Sequence, residues 1–348
     1  MKRLAIILTL ALSLSLLLSG NFSAGTPATD KQPTPSRSFT FTYVTHVSTI
    51  PPGTHQLRIW LPLPYEERSQ AVSDLKIESP VRFKIEHEKE YGNRYAYFVV
   101  EPDDVKGPFE IRLTFHAQRF EHRVALNMTD DPPAQPLVSP ARFLLPDRLV
   151  PINGEIAQLS GRQTEGATEP VDKARRLYNY VVSTMHYDHD GTGWGRGDAV
   201  WACENKHGNC TDFHSLFIAM ARAAGIPARF EIGFSLPTGV SQGVIGGYHC
   251  WAEFYVQGIG WIPVDASEAS KNKEMSDYFF GTTDQNRVMF TLGRDIRLKP
   301  GQKGDLLNYF VYPYAELDGK PFDGLKNEFS FRDDPKPKGT HTKVSTSD

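Results

Sequence analysis

The chain has 348 residues, of which 40% are hydrophobic and 23% are charged, and its formal net charge is -3. This composition is typical of a globular protein and excludes a mainly disordered chain. So small a net charge provides no basic surface for nucleic acid, so we expect no nucleic-acid partner. The length allows two ordinary domains or one large one.

The N-terminal segment is typical of a secretory signal. Two basic residues precede an apolar run from Leu4 to Leu18, and small residues follow up to Ala24. The run is shorter than the roughly 20 residues that a membrane span requires. We predict a signal peptide over residues 1–24, no transmembrane anchor after its removal, and a periplasmic or secreted mature protein.

The first part of the mature chain has the pattern of a β protein. Residues 25–37 are rich in Pro and Thr, which predicts a flexible leader. Between residues 38 and 126, four segments alternate or run apolar between turn residues: "FTFTYVTHV", "HQLRIWLPLP", "YAYFVV" and "FEIRLTFHAQRF". We predict an all-β, sandwich-like domain over 38–126 and a Pro-rich linker over 127–151.

The second part of the chain mixes helical and strand signals, which predicts the α+β fold class. Apolar residues recur at helical spacing over 171–185, and a second helix is predicted over 211–224. Three strand-like segments follow: "ARFEIGF", "YHCWAEFYV" and "GWIPVD". We assign residues 152–332 to a second domain and residues 333–348 to a disordered tail.

Cys210 lies between a turn-forming Gly208-Asn209 pair and the second predicted helix. A helix that begins at a cysteine directs its N–H groups and the positive end of its dipole at the sulfur, which favours the thiolate. This stretch alone leaves three roles open for Cys210: nucleophile, half of a disulfide, or small buried residue.

A cysteine nucleophile needs a base, and the base needs a group that orients it. His249 lies near the start of one predicted strand, and Asp265 ends the next. The short "QGIG" connection predicts that these strands pair as a hairpin, which would bring Asp265 back to His249. His214, on the same helix face as Cys210, is a rival base without an obvious carboxylate partner.

The segments "GNCTDFHSLFIAMARAAGIPARFEIGF" and "YHCWAEFYVQGIGWIPVDASEA" resemble the transglutaminase-like superfamily of papain-type folds, in its bacterial exported form. The resemblance covers roughly Val171 to Lys271. It implies that Cys210 is the nucleophile, His249 the general base and acid, and Asp265 the orienting group. It also implies that the cysteine helix packs against an antiparallel sheet. Many relatives have Ala after the histidine, where this chain has Cys250.

Four further side chains have candidate roles. Cys203 and Cys250 are a candidate disulfide, which would tie the loop before the nucleophile to the histidine strand in an oxidising compartment. Two buried free thiols, or an inactivating Cys203–Cys210 pair, are the alternatives. Trp194 and Trp201 are candidate oxyanion donors, because family members use an aromatic or amide side chain upstream of the cysteine. Loop packing is the alternative for both.

The segment "HYDHDGTGWGRGD" imitates the opening of a calcium-binding loop. Ala199 stands where the bidentate glutamate should be, however, and Arg196 occupies another ligand position. We therefore predict neither a metal nor a cofactor.

The resemblance implies an enzyme that acts on amide bonds of proteins or peptides through an acyl-thioester. An amine acceptor would make it a cross-linking enzyme, and water would make it a peptidase or deamidase. The alternative is a catalytically silent binding protein of the cell envelope with the same fold. The expected partner is a protein or peptide substrate, with the cell envelope as a candidate source, and the oligomeric state is left open.

Overall fold

A computed structural model of the protein describes residues 34–101, 103–127, 136 and 138–335. The predicted signal peptide, most of the leader and most of the tail lie outside these residues, as does part of the predicted linker. No helix within the described ranges is long and apolar enough to cross a membrane. From Thr34 onward, the described residues form one compact unit.

The N-terminal part consists of strands whose side chains alternate between two faces, as their sequence pattern predicts. The strands are β1 (Ser36–Val47), β2 (Leu57–Pro62), β3 (Gln70–Glu78), β4 (Phe83–His87), β5 (Arg94–Val100), β6 (Phe109–Phe120) and β7 (His122–Arg123). The first strand begins two residues before the predicted boundary at residue 38.

The middle of the chain contains the helices and two very short strands. These elements are a 3-10 helix (Pro140–Leu144), α1 (Gly154–Gln163), α2 (Pro170–Thr184), β8 (His186–Tyr187), α3 (Ala199–Asn205), β9 (His207–Gly208) and α4 (Cys210–Ala223). The helices predicted over 171–185 and 211–224 are confirmed as α2 and α4, each displaced by one residue.

The remaining elements are mainly strands. They are β10 (Ala228–Ser235), β11 (Gln242–Ile245), β12 (Tyr248–Val256), β13 (Gly260–Val264), α5 (Ala266–Lys271), a 3-10 turn (Lys273–Met275), β14 (Thr282–Thr283), β15 (Arg287–Leu292), β16 (Tyr314–Leu317), β17 (Lys320–Pro321) and β18 (Leu325–Asp333). The three strand-like segments that follow the cysteine helix in the sequence are confirmed as β10, β12 and β13.

Three larger antiparallel sheets have the strand orders β11-β18-β1-β6-β3, β17-β16-β2-β5-β4 and β13-β12-β10-β15. The first two combine strands from both ends of the chain. Along the β1–β18 pair, for example, Phe39 faces Asp333 and Val47 faces Leu325. The division of the chain at residues 127–151 stays a prediction, but the N-terminal sheets are not built from N-terminal strands alone.

A cluster of aromatic side chains joins the N-terminal sheet to the sheet that carries β10 and β15. The ring centroid of Phe41 lies 5.3 Å from that of Phe115 in the neighbouring strand β6. It also lies 5.4 Å from Phe234 on β10 and 5.6 Å from Phe290 on β15. All four side chains are fully buried. Burial of a phenylalanine contributes about 1.5–3 kcal/mol, so these contacts hold the two sheets together.

Helix α4 occupies the centre of the C-terminal part. It packs on β12 and β10 and is surrounded by the other helices. Every residue from Cys210 to Arg222 is buried, as expected for a helix that is apolar around most of its circumference. The predicted α+β arrangement, with the cysteine helix packed on an antiparallel sheet, is confirmed.

Candidate active site

The N terminus of α4 is closed by a reciprocal capping box. The amide of Thr211 donates to Asn209 Oδ1 at 2.9 Å, and the amide of Asn209 donates to Asp212 Oδ2 at 3.0 Å. Gly208 has a φ of +137°, and a Cβ at this position would lie 2.3 Å from Asp212 Oδ2. Glycine is therefore required just before the cap, and Cys210 becomes the first residue of the helix.

The Asp212 carboxylate also holds the glycine-rich loop that precedes α3. The amide of Gly195 donates to Oδ2 at 2.6 Å, and the amide of Gly197 donates to Oδ1 at 2.9 Å. Burial raises the pKa of Asp212 above its ordinary value, although these amides and that of Asn209 oppose the rise. One carboxylate thus fixes both the start of the cysteine helix and the loop beside it.

The β12–β13 hairpin brings His249 to Asp265, as the sequence predicts. The two strands pair antiparallel, and His249 Nε2 lies 2.7 Å from Asp265 Oδ2. Asp265 is also the N-cap of α5, because its Oδ1 accepts from the amide of Glu268 at 2.9 Å and from Ser267 Oγ at 2.8 Å. Asp265 is completely buried and His249 is 5% exposed.

The Cys210 side chain lies close enough to His249 and Cys250 for both to affect its pKa. Burial acts to raise the pKa of Cys210, but hydrogen bonding to Cys250 and His249, together with the charge of His249, holds it well below its ordinary value. Burial acts to lower the pKa of His249, but the charge and hydrogen bond of Asp265, together with the thiolate, raise it to about 9. The arrangement therefore favours a thiolate–imidazolium pair.

The protonation pattern of the His249 ring follows from its contacts. Its Nε2 faces Asp265, which accepts the proton of that nitrogen. Nδ1 is then the ring nitrogen that remains for the sulfur of Cys210. A cysteine thiolate paired with an imidazolium oriented by a carboxylate can attack a carbonyl and protonate a leaving group.

The rival base His214 makes different contacts. Its Nδ1 lies 2.7 Å from the carbonyl oxygen of Cys210, and its Nε2 accepts from the amide of Ala266 at 3.2 Å. A carbonyl can only accept and an amide N–H can only donate, so Nδ1 carries the proton and Nε2 does not. Nε2 also lies 3.5 Å from Asp265 Oδ1. His214 thus braces the first turn of α4 against the start of α5.

Sequence reasoning missed Arg287, a buried cation at the start of β15. Its Nη1 donates to Asp265 Oδ2 at 2.6 Å. Burial acts to raise the pKa of Asp265, but Arg287 and His249 hold it well below its ordinary range. The available signal was the arginine in the otherwise apolar strand "RVMFTL", because arginine is almost never fully buried without an acidic partner.

The candidate nucleophile is covered. Cys210 is 2% exposed, and the hydroxyl of Tyr248 lies 3.0 Å from both Asn209 Nδ2 and Thr211 Oγ1 beside it. A cavity of about 550 Å³ lies elsewhere and is lined by Tyr65 and Arg94 among others, which are not part of this site.

Residues 157–266 match the family model of the transglutaminase-like superfamily. The matched segment contains Cys210, His249 and Asp265 in the order and geometry described above. This segment belongs to the transglutaminase-like superfamily.

The similarity to known proteins extends beyond this transglutaminase-like segment. An uncharacterized protein of Haemophilus influenzae is 29% identical over 320 residues, which cover 81% of this chain and 87% of the relative. The structure of a candidate cysteine protease from Cytophaga hutchinsonii aligns with a TM-score of 0.56 and 14% identity, over 85% of this chain and 98% of that one. At this identity the alignment bears on the fold alone.

A periplasmic domain of TgpA from Pseudomonas aeruginosa aligns less well with the chain. Its TM-score is 0.37 at 15% identity, over 69% of this chain and 90% of that one. A TM-score this low carries no argument about the transglutaminase-like segment.

The two candidate oxyanion tryptophans pack against the glycine-rich loop and its neighbours. The ring of Trp194 stacks on His189 with centroids 4.4 Å apart. The indole of Trp201 lies edge-on to His207 at 5.0 Å. Their role as oxyanion donors stays a prediction. The Cys210 amide is a further candidate, because it begins the helix, and the Tyr187 hydroxyl lies within its reach.

The cysteines of the transglutaminase-like segment differ from the predicted pairing. Cys203, Cys210 and Cys250 are all free and buried, and no disulfide joins Cys203 to Cys250. Lys206 Nζ lies 3.7 Å from Cys203 Sγ, whereas Cys250 Sγ faces α4, 3.9 Å from Thr211 Oγ1. The two sulfurs thus have different partners: Cys250 packs under the cysteine helix and not against the loop that feeds it.

Metal ligands do not cluster in the part of the chain that the structure describes: no group of three or more His, Cys, Asp or Glu side chains could hold an ion. Near the candidate calcium loop, Asp188 Oδ1 is instead paired with His207 Nδ1 at 2.7 Å.

Proposed function

We propose that the protein is an exported thiol enzyme that acts on amide bonds of proteins or peptides through Cys210, His249 and Asp265. The observation that carries this proposal is the combination of a cysteine at the start of a buried helix with a histidine held by a carboxylate at 2.7 Å. The raised pKa of His249, about 9, and the lowered pKa of Cys210 support the activated thiolate that such chemistry needs.

The proposed reaction has two halves. The Cys210 thiolate attacks the amide carbonyl carbon, and the carbonyl oxygen becomes an oxyanion. When the C–N bond breaks, the departing amine takes the proton from His249 and the acyl group remains on sulfur as a thioester. An acceptor then gives a proton to His249 and attacks the thioester, which releases the thiolate. Water as acceptor gives hydrolysis, and an amine gives a new amide bond.

A glutamine-containing peptide, supplied with and without a fluorescent amine, separates these outcomes. We expect wild type to release ammonia or incorporate the amine, and Cys210→Ala to do neither. Ammonia release without amine incorporation would exclude transferase activity under those conditions. Because this peptide samples one kind of amide only, the enzyme proposal itself is tested by alkylation of the thiol.

A second candidate function is a catalytically silent binding protein of the cell envelope. The burial of Cys210, which is only 2% exposed, favours this alternative. Iodoacetamide labelling at neutral pH discriminates between the two. We expect Cys210 to react faster than a model thiol and His249→Ala to slow it. Labelling no faster than the model thiol, and unaffected by His249→Ala, would rule out the enzyme.

A further inference from the structure

We propose that Arg287 is a positioning residue of this site, which keeps the Asp265 carboxylate charged and turned toward His249 and so sustains the Cys210 thiolate. This inference rests on the proposed function, because it assigns Arg287 a part in activating the same thiol. The residue lies at the start of β15, is 1% exposed, and places Nη1 2.6 Å from Asp265 Oδ2.

Arg287 helps to fix the orientation of the Asp265 carboxylate. Asp265 Oδ1 accepts from the hydroxyl of Ser267 and from the amide of Glu268, while Oδ2 accepts from His249 and Arg287. A carboxylate with donors on both oxygens cannot rotate without losing hydrogen bonds. His249 Nε2 is held in place as a result, which leaves Nδ1 as the ring nitrogen available to Cys210.

Arg287 also adds a positive charge to the buried site. In the reactive state, Cys210 and Asp265 are negative and His249 is positive. All three are almost completely buried, and a buried charge is costly unless an opposite charge compensates it. Arg287 adds the second positive charge, so that the four charges sum to zero. Without it, the three remaining charges would sum to -1 once the thiolate forms, so a buried negative charge would be left uncompensated and thiolate formation would be opposed.

Among the described residues, no other arginine or lysine hydrogen-bonds Asp265. His214 Nε2 accepts from the amide of Ala266. Arg294 is a buried cation near Cys250, but its guanidinium donates to Ser215 Oγ, Asn308 Oδ1 and the carbonyl oxygens of Arg196 and Gly197. The remaining groups are thiols, phenols and carboxyls. They are Asp212 on α4, Cys250 and Tyr248 on β12, Glu268 on α5, Asp284 before β15, Tyr178 on α2, Tyr187 on β8, and Tyr309 and Tyr312 before β16.

Arg287 is held where this role requires it. Its guanidinium carbon lies 5.3 Å from the ring centroid of Trp251, which is on the same face of β12 as His249. The indole N–H of Trp251 in turn donates to Glu231 Oε2 at 2.6 Å. The Arg287 guanidinium therefore packs on the ring of Trp251, and that ring is held in place by its hydrogen bond to Glu231.

The test measures the rate of iodoacetamide alkylation of Cys210 against pH, with the labelled peptide identified by mass spectrometry. In wild type we expect half-maximal alkylation well below pH 9. In Arg287→Met we expect this midpoint to rise by about one pH unit, equivalent to about tenfold slower alkylation below both midpoints. Arg287→Lys, which keeps the charge, should stay nearer wild type. Arg287→Gln, which keeps a donor but no charge, should follow Arg287→Met.

Arg119→Met is the matched control. Arg119 is also 1% exposed and pairs with Glu67 at 2.6 Å, outside this site. The Arg119→Met variant should have a lower melting temperature and an unchanged pH midpoint for Cys210 alkylation. If Arg287→Met does not fold, the comparison of Arg287→Gln with Arg287→Lys replaces it. An uncharged variant that folds and keeps the wild-type midpoint overturns the role of Arg287. A wild-type thiol with ordinary reactivity instead overturns the proposed function.

Discussion

The amide of Ala266 donates to His214 Nε2 at 3.2 Å, and this contact makes Nε2 the acceptor nitrogen of the ring. Because Nε2 accepts, the proton must lie on Nδ1, which faces the Cys210 carbonyl oxygen at 2.7 Å. Both nitrogens of this histidine are occupied by backbone groups. His214 is therefore suited to hold the first turn of α4 against the residue after Asp265, and not to exchange protons with a substrate.

His214→Ala should affect stability more than thiol activation. It leaves two buried backbone groups without the ring as a partner, and each such group costs about 1–3 kcal/mol. We expect a lower free energy of unfolding in urea and a nearly wild-type pH midpoint for Cys210 alkylation. His249→Ala is the comparison variant, which should move that midpoint up toward an ordinary thiol. A midpoint that moves more in His214→Ala than in His249→Ala would make His214 the base.

The pH dependence of turnover should be bell-shaped and broad. Activity requires the Cys210 thiolate together with protonated His249. The lowered pKa of Cys210 moves the rising limb down in pH, and the raised pKa of His249, about 9, moves the falling limb up. The measurement is kcat/KM of an amide substrate across pH. Alkylation of the same protein should show the rising limb without the falling one, because a thiolate without its imidazolium still reacts. A single rising limb near pH 9 in both assays would contradict the ion pair.

Gly208→Ala should disturb the start of the cysteine helix. A Cβ there would lie 2.3 Å from Asp212 Oδ2, in a backbone conformation with a φ of +137°. Strain of this kind costs about 1–3 kcal/mol before the steric clash is added. We expect a lower melting temperature together with slower alkylation of Cys210.

Gly191→Ala is the control for backbone strain alone, since Gly191 has a φ of +72° and a Cβ added there would meet nothing within 4 Å. It should cost less stability and leave Cys210 alkylation unaltered. Equal effects of the two substitutions would mean that contact with Asp212 is unimportant.

The mature protein should contain three free thiols. Unfolding in iodoacetamide without reductant, followed by intact mass measurement, should add three carbamidomethyl groups, because Cys203, Cys210 and Cys250 are all free. Protein purified from an oxidising compartment is the appropriate sample. A mass increase of only one carbamidomethyl group would instead indicate the Cys203–Cys250 disulfide expected from the sequence.

Local sequence was sufficient for the parts of the site that are close in the chain. The capping residue before Cys210 and the short connection between β12 and β13, which carry His249 and lead into Asp265, are short-range signals with short-range causes. Arg287 could not be placed in this way. Its partner Asp265 is 22 residues distant, and nothing in the intervening sequence fixes where β15 returns to the sheet.

The orientation of Cys250 illustrates the same limit from the other direction. Strand alternation correctly sends Cys250 to the face opposite His249. The element that packs on that face is determined by tertiary structure. It is α4, and not the segment that carries Cys203. The odd number of cysteines suggested a Cys203–Cys250 pair. The neighbours of Cys250 are determined by long-range packing, which strand periodicity does not encode.

The pairing of β1 with β18 has a consequence for how the protein is made. These neighbouring strands are separated by nearly the whole chain, and β18 also pairs with β11, four residues before His249 on β12. This sheet can therefore close only when residues near both ends of the described chain are present, and a chain that ends before β18 would leave β1 and β11 without the strand between them.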